Sequence, residues 1–264
     1  MNSSQITTYV IIGVAVICIV YLLLLGLLNT VQLDLLYPGR YRECTELGEP
    51  WQKISNSYYK KGTTKDLWVV LGGNNSVPTD YVKFTIGSDH NFILIGYPGY
   101  CLEGGKGPSH PDPTNTAKEI KTSLDKFKDT NTNTNTNTIN FVCYSIGTGV
   151  GLNFLSNHPE YQVKKVVLIA PFWSIEDIVW DKCFIPNSII NYFLVHSWDN
   201  HANIIKLPDI IDLTLVHGKN DILITSEHSE RLFELIKHRK NAKLILTEDD
   251  DHLSVCRLIP DLIK

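Results

Sequence analysis

The sequence predicts an α/β fold: a mostly parallel sheet with helices on both faces, carried behind an N-terminal membrane-spanning helix. Three observations predict it. From residue 51 onward, short apolar runs alternate with helical patterns, as in a parallel sheet covered on both sides. At residues 139–149, Ile-Asn-Phe-Val-Cys-Tyr-Ser-Ile-Gly-Thr-Gly, an apolar run meets a serine flanked by small residues and a helical pattern follows. That is a strand turning sharply into a helix with a hydroxyl held at the turn. Finally, residues 8–28 hold no charge, and a bilayer core needs ~20 apolar residues in helical form.

The elements follow in order. Residues 8–28 read as an uncleaved single-span anchor. The apolar run is too long for a signal peptide, no Lys or Arg precedes it, and no clear small-x-small site follows. The first cations, Arg40 and Arg42, lie on its C-terminal side, so the positive-inside rule places the body in the cytoplasm. Residues 29–50 read as a polar, partly amphipathic linker, and 51–264 as one folded domain. Leu67–Leu71 is a strand ending in Gly72-Gly73, Pro78 to Thr85 a short helix, and Asn91–Ile95 the next strand. A Gly/Pro loop runs from Gly96 to Pro113. Residues 115–128 form a helix with Ile120, Leu124 and Phe127 on one face. The Thr/Asn repeat at 129–138 has nothing apolar to bury and reads as a solvated loop. Asn140–Tyr144 is the strand before the serine, 147–157 the helix after it, and Val163–Ile169 a further strand. The alternation breaks over 171–206. Ile211–Val216, an amphipathic helix at Thr225–Arg239, the strand Ala242–Leu246 and a short helix from Leu253 complete the chain.

Composition narrows the function classes. With 43% hydrophobic residues in 264, the chain can bury a large core. The net charge of -4, without a basic tract, argues against nucleic acid as a partner. The six cysteines show no C-x-x-C or zinc spacing; they read as unpaired thiols in a reducing compartment. No metal or cofactor is expected. Glu248 to His252 bunch their oxygens and imidazole in one loop without a distant partner. Gly104-Gly105-Lys106-Gly107 lacks the order of a phosphate loop.

The serine at the turn is the chemical centre of the sequence. Cys143, Ser145 and Gly147 fit the G-x-S-x-G pattern with cysteine in place of the first glycine. A serine hydroxyl attacks only if a base takes its proton. That base must be oriented by an acid, and N–H donors must stabilise the oxyanion that develops. Asp221, in His217-Gly218-Lys219-Asn220-Asp221 just past a strand, is the acid candidate. A turn-forming aspartate is its plain alternative. His252, after the last strand in Glu248-Asp-Asp-Asp-His252, is the base candidate, although three aspartates beside it favour the imidazolium. The N–H of Ile146 and one from Gly72-Gly73-Asn74-Asn75 are the oxyanion donors this chemistry asks for. The order carries the argument: glycine loop, serine turn, Asp after one strand, His after the next.

On these residues the chain resembles the α/β-hydrolase superfamily over roughly 65–264. It is most similar to membrane-anchored α/β-hydrolase-domain proteins, in the branch of depalmitoylases and monoacyl-lipid hydrolases. The motifs are Leu71-Gly72-Gly73-Asn74, Gly96-Tyr97-Pro98-Gly99-Tyr100, Tyr144-Ser145-Ile146-Gly147-Thr148, His217-Gly218-Lys219-Asn220-Asp221 and Asp251-His252. Gly104-Gly105-Lys106 and Pro108-Ser109 extend the second of these. The resemblance implies Ser145 as nucleophile, Asp221 as acid, His252 as base, and Asn74 and Ile146 as oxyanion donors. Two positions depart from the family pattern: Gly72 stands where histidine is usual, and Cys143 where glycine is.

The excursion at 171–206 then reads as a cap, and its aromatics Phe172, Trp173, Trp180, Phe184, Tyr192, Phe193 and Trp198 as acyl-pocket lining or as packing against the body. With the anchor, they favour a lipid-borne acyl ester or thioester as substrate for a serine hydrolase of esterase, lipase or thioesterase type. The competing expectation is an inactive binding protein that keeps the hydrolase scaffold at a membrane.

Overall fold

The computed structural model describes residues 2–101, 110–130, 138–184, 188, 190 and 194–264. The 104–109 motif, residues 131–137 of the Thr/Asn repeat, and Tyr192 and Phe193 of the expected cap lie outside the described residues.

An eight-stranded sheet forms the centre, in the order β1-β2-β4-β3-β5-β6-β7-β8. The strands are β1 (Trp51–Ile54), β2 (Ser57–Lys60), β3 (Asp66–Leu71), β4 (Asn91–Ile95), β5 (Thr138–Tyr144), β6 (Val163–Ile169), β7 (Asp212–Gly218) and β8 (Ala242–Thr247). From β4 through β8 every neighbouring pair is parallel, whereas β1–β2 and β2–β4 are antiparallel. The central strands are buried on both faces: Leu67 to Leu71, Asn91 to Ile95 and Phe141 to Tyr144 show no exposed position. That is why they read as continuous apolar runs and not as alternating ones.

Helices α2 (Pro113–Thr130), α3 (Ile146–Asn157) and α6 (Glu227–Ile236) cover one face, where Ile120, Leu124, Phe127, Val150, Phe154, Leu232 and Ile236 join one core cluster. A second cluster, with Trp68, Val70, Phe92, Val142 and Val167, is closed by Tyr81 of the 3-10 helix Pro78–Thr85 and by Val255, Cys256, Ile259 and Ile263 of the C-terminal segment. That segment holds the 3-10 turn Ser254–Leu258 and α7 (Ile259–Leu262). Between β6 and β7 the cap contains α4 (Ile175–Cys183) and α5 (Asn200–Ile204), closed at its base by a Ser174–Asp199 bridge.

At the N-terminus α1 runs Ser3–Leu36 as one helix. Its window Thr7–Leu24 is long and apolar enough to cross a membrane, and none of that window is buried against the domain. The helix continues into the segment expected as linker because Leu33 and Leu36 pack on the core. The hairpin β1–β2 was not specified by the sequence pattern. Its strands are four residues long, and β2 buries three consecutive side chains, so it shows no alternation.

The cysteines depart from expectation. Cys44 and Cys101 form a disulfide, with Cα atoms 4.7 Å apart. They stand 57 positions apart in the sequence, a spacing that carries no motif; the fold itself brings the entry to the domain against the loop after β4. Cys18, Cys143 and Cys256 are free thiols.

Candidate active site

Ser145 sits at the junction of β5 and α3 with φ 54° and ψ −122°, a conformation that side chains other than glycine rarely adopt. Three groups hold it there. Its N–H donates to Ile169 O at 2.9 Å, and its carbonyl accepts from Thr148 N at 2.9 Å and Thr148 Oγ1 at 2.7 Å. Asn200 of the cap in turn donates to Thr148 Oγ1 and Phe172 O.

The turn also requires α3 to lie almost on the neighbouring strand. A Cβ at Gly147 would come 2.4 Å from Leu71 O and 2.7 Å from Gly72 O. The same packing explains the cysteine. A Cβ at Gly151 would lie 2.4 Å from Cys143 Sγ, so the thiol fills space that the helix leaves open one turn further on. The substitution relative to G-x-S-x-G is accommodated by a second glycine, and Cys143 is fully buried.

The structure brings the three residues singled out in sequence into one chain of hydrogen bonds. His252 Nε2 lies 3.0 Å from Ser145 Oγ, and His252 Nδ1 lies 2.6 Å from Asp221 Oδ2. The carboxylate can only accept, so the imidazole proton belongs on Nδ1 and Nε2 is left to accept from the serine. Asp221 has a fully buried side chain, His252 keeps a small exposed area, and Ser145 is buried. The loops that carry the acid and the imidazole are tied together, with Asn220 N donating to Asp250 O and Lys219 N to Thr247 O. Tyr144 OH donates to His252 O at 2.9 Å, and its ring lies beside the imidazole.

The acidic run before His252 is engaged elsewhere. Asp250 receives two hydrogen bonds from Arg257, Asp251 caps the turn at Leu253 and Ser254, and Glu248 pairs with Lys219. Among the described residues, no group of three or more His, Cys, Asp or Glu is arranged to hold a metal ion.

His217 opens the His217–Asp221 motif, and the sequence alone does not point to its role. It is fully buried one layer behind the acid. Its Nδ1 accepts from Ser229 Oγ at 2.6 Å, and its Nε2–H is shared between Ile224 O at 2.8 Å and Asp221 Oδ2 at 3.2 Å. Asp221 Oδ1 accepts from the N–H groups of Leu223 and Ile224, both at 2.9 Å. Burial alone would raise the Asp221 carboxyl. Hydrogen bonds from His217 and His252, the His252 charge and the Ile224 N–H outweigh it, holding the carboxyl well below the usual carboxylate range.

A pH signature follows. A carboxyl depressed on folding stabilises the native state above its unfolded value, about 3.9, and loses that contribution as pH falls towards the folded value. The stability gap between the native protein and Asp221→Asn should therefore narrow as pH drops below about 4. Thermal unfolding across a pH series reads this; a gap constant with pH would contradict it.

The expected oxyanion loop is braced by tyrosines. Tyr97 OH donates to Gly72 O at 2.7 Å, Tyr100 OH to Asn74 O at 2.5 Å, and Tyr81 OH accepts from Gly73 N at 3.0 Å. Gly39 N also donates to Asn74 O. The loop's carbonyls are thus turned towards the protein. Ile146 is the first residue of α3, so its N–H has no acceptor within the helix.

The cap aromatics divide. Phe172 and Trp198 are buried, and a Cβ at Gly149 would meet both of them, so they pack the cap onto α3. Trp173 stacks on His201 and lies under Arg231. Trp180 and Phe184 are exposed.

Comparison with known proteins agrees with this architecture. The chain superposes on an α/β-hydrolase from Vibrio vulnificus with a TM-score of 0.66 at 15% identity, covering 88% of this chain and 90% of that one. An esterase from Pyrococcus furiosus gives 0.64 at 14% identity over 84% of this chain and 91% of that one. A bromoperoxidase from Bacillus anthracis gives 0.55 at 15% identity over 78% and 93%. The chain therefore has the α/β-hydrolase fold. In sequence it is 26% identical over 181 residues to the uncharacterized protein YfhR of Escherichia coli (strain K12), covering 69% of this chain. The match spans 60% of the length of that relative. No family model matches.

Proposed function

We propose that the protein is a membrane-tethered serine hydrolase that cleaves carboxylic esters or thioesters of lipid-like acyl groups. The observation that carries this reading is the two-sided engagement of His252: Nε2 at 3.0 Å from Ser145 Oγ, Nδ1 at 2.6 Å from the Asp221 carboxylate.

In this reading Ser145 Oγ attacks the acyl carbon while its proton passes to His252 Nε2. Asp221 holds the imidazole and stabilises the imidazolium. The N–H groups of Asn74 and Ile146 receive the oxyanion. The intermediate collapses, the leaving alkoxide or thiolate takes the proton from Nε2, and an acyl-enzyme remains. A water, deprotonated by the same nitrogen, then releases the acid and regenerates Ser145.

His217 is a positioning residue in this scheme, since of Ser145, His252 and Asp221 it touches only Asp221. Its loss removes a hydrogen bond to a carboxylate, worth about 1.5–3 kcal/mol. His217→Phe should thus lower kcat about ten-fold or more, with KM little changed. Steady-state kinetics on a soluble aryl ester checks this; an unchanged kcat would remove His217 from the scheme.

Two further features support the lipid part. The unburied apolar window of α1 suits a bilayer. As a tether it raises the local concentration of membrane-borne esters, and the cap carries exposed aromatics, Trp180 and Phe184. The Cys44–Cys101 pair favours an oxidising compartment for the domain over the cytoplasmic side that Arg40 and Arg42 suggest.

The competing reading, an inactive binding protein on a hydrolase scaffold, rests on Cys143, Gly72 and the acidic loop beside His252. Its first support weakens, because Gly151 makes room for the thiol. Incubating the folded, full-length protein with aryl esters and thioesters of short to long acyl chains tests the proposal. We expect hydrolysis that favours the longer chains; no hydrolysis of any member by folded protein would favour the binding protein.

A further inference from the structure

The carboxyl edge of the sheet carries an unusual share of bare apolar surface. Ile222 and Leu223 follow β7 and are 87% and 52% exposed; Leu253 follows β8 and is 74% exposed. In the cap, Phe184 is 76% exposed and Trp180 43%. Trp180, Phe184 and Leu223 line one pocket, and Ile222 and Leu253 flank the Asp221–His252 pair. Leu253 adjoins His252, which touches Asp221, which adjoins Ile222. Lys182 of α4 donates to Ile222 O at 2.7 Å, and the Trp180 and Phe184 rings meet edge to face. Isolated exposed apolar residues are ordinary, but several gathered at one edge of the sheet mark an interaction surface.

The course of α1 says what covers it. The last turns of α1 are fixed at this same edge. Gln32 accepts from Val195 N of the cap, and Trp198 Nε1 donates to Tyr37 OH. Just beyond, Gly39 N donates to Asn74 O of the loop after β3. Asn74 and Ile222 both follow strands at their carboxyl ends, with β5 and β6 between β3 and β7, a separation of roughly 15 Å. From residue 28, the end of the uncharged stretch, to Leu36 the helix advances about 12 Å. Headgroups occupy about 5–7 Å of that on each side of a bilayer. At most about 7 Å of helix then lies between the headgroups and the edge at which α1 is fixed.

We propose that this carboxyl edge is a membrane-docking face. Trp180, Phe184, Ile222, Leu223 and Leu253 rest in the headgroup region of the bilayer that holds α1, which brings the Ser145–His252 pair at the same edge up to that bilayer. The inference rests on the reading of α1 as a span, and it names the source of substrate for the proposed hydrolase: acyl esters resident in the membrane that the anchor already occupies. Glu248, Asp249 and Asp251 are exposed beside Leu253. Glu248 is paired with Lys219, and Lys182 lies beside Ile222, so acids and bases are interspersed at this edge with no basic cluster to select anionic lipid; the partner is a zwitterionic surface of phosphatidylcholine type.

The test uses the full-length protein in phosphatidylcholine nanodiscs, with Cys18 and Cys183 replaced by serine. A nitroxide is placed by Ile222→Cys, by Phe184→Cys, or by Ile210→Cys. Ile210 is equally bare, at 84%, but precedes β7 at the opposite edge of the sheet. Collision with oxygen is compared with collision with a water-soluble nickel chelate. We expect the oxygen-to-nickel ratio at 222 and 184 to exceed that at 210 several-fold. Equal ratios at all three sites would overturn the docking face, as would release of the protein from phosphatidylcholine vesicles by alkaline carbonate. Fluorophosphonate labelling of the same samples separates the two readings. Labelling with equal ratios would overturn docking alone. Protection at 222 and 184 without labelling would support docking and count against the hydrolase.

Discussion

Ser145→Ala is expected to lower turnover of an acyl ester about 10⁴-fold or more while leaving the fold intact. The side chain makes one hydrogen bond, to His252 Nε2. The backbone bonds that hold the turn, from Ser145 N to Ile169 O and from Thr148 to Ser145 O, do not involve it. Alanine meets the same positive φ as serine, so local strain is unchanged. The variant therefore removes the nucleophile and little else. Rates on a soluble ester, together with unfolding temperatures, separate the two effects. Turnover near the native rate in a folded Ser145→Ala would rule out the proposed chemistry.

Gly147→Ala is expected to cost about 2 kcal/mol of stability and to abolish most activity as well. Two effects oppose each other. Alanine in a helix is favoured over glycine by about 0.5–1 kcal/mol. Against this, the new Cβ would stand 2.4 Å from Leu71 O and 2.7 Å from Gly72 O. Both are backbone atoms and cannot rotate away, and overpacking of this kind costs about 1–3 kcal/mol, occasionally more. The steric term wins. What must give way is the end of β3, where Tyr97 OH grips Gly72 O, so the loop carrying Asn74 moves with it. Denaturant unfolding and steady-state kinetics measure the pair of effects. A variant as stable and active as the native protein would show that α3 does not approach β3 this closely.

The sheet from β3 to β8 was legible because both of its faces are covered. Burial on two sides makes each strand a continuous apolar run, and such runs between helical patterns have few other readings. The hairpin β1–β2 escaped notice because four-residue strands carry too little pattern, and Tyr58 and Tyr59 are buried on opposite sides. Asp221 and His252 were legible as positions because each follows a strand end. His217 was not legible as their support, since sharing its Nε2–H between Ile224 O and Asp221 depends on how the 218–224 loop closes. The Cys44–Cys101 pair depends on α1 and the segment after it folding back over the sheet edge, which no local pattern encodes. The tolerance for Cys143 is likewise written eight residues away, at Gly151.

The most direct measurement is mass spectrometry of the intact, folded protein after brief exposure to a fluorophosphonate, with the adduct mapped by peptide. The account predicts one adduct, on Ser145, formed quickly by the native protein, much more slowly by His252→Ala, and not at all by Ser145→Ala. Labelling of Ser145 at the same rate with and without His252, or no labelling of a folded native protein, would contradict it.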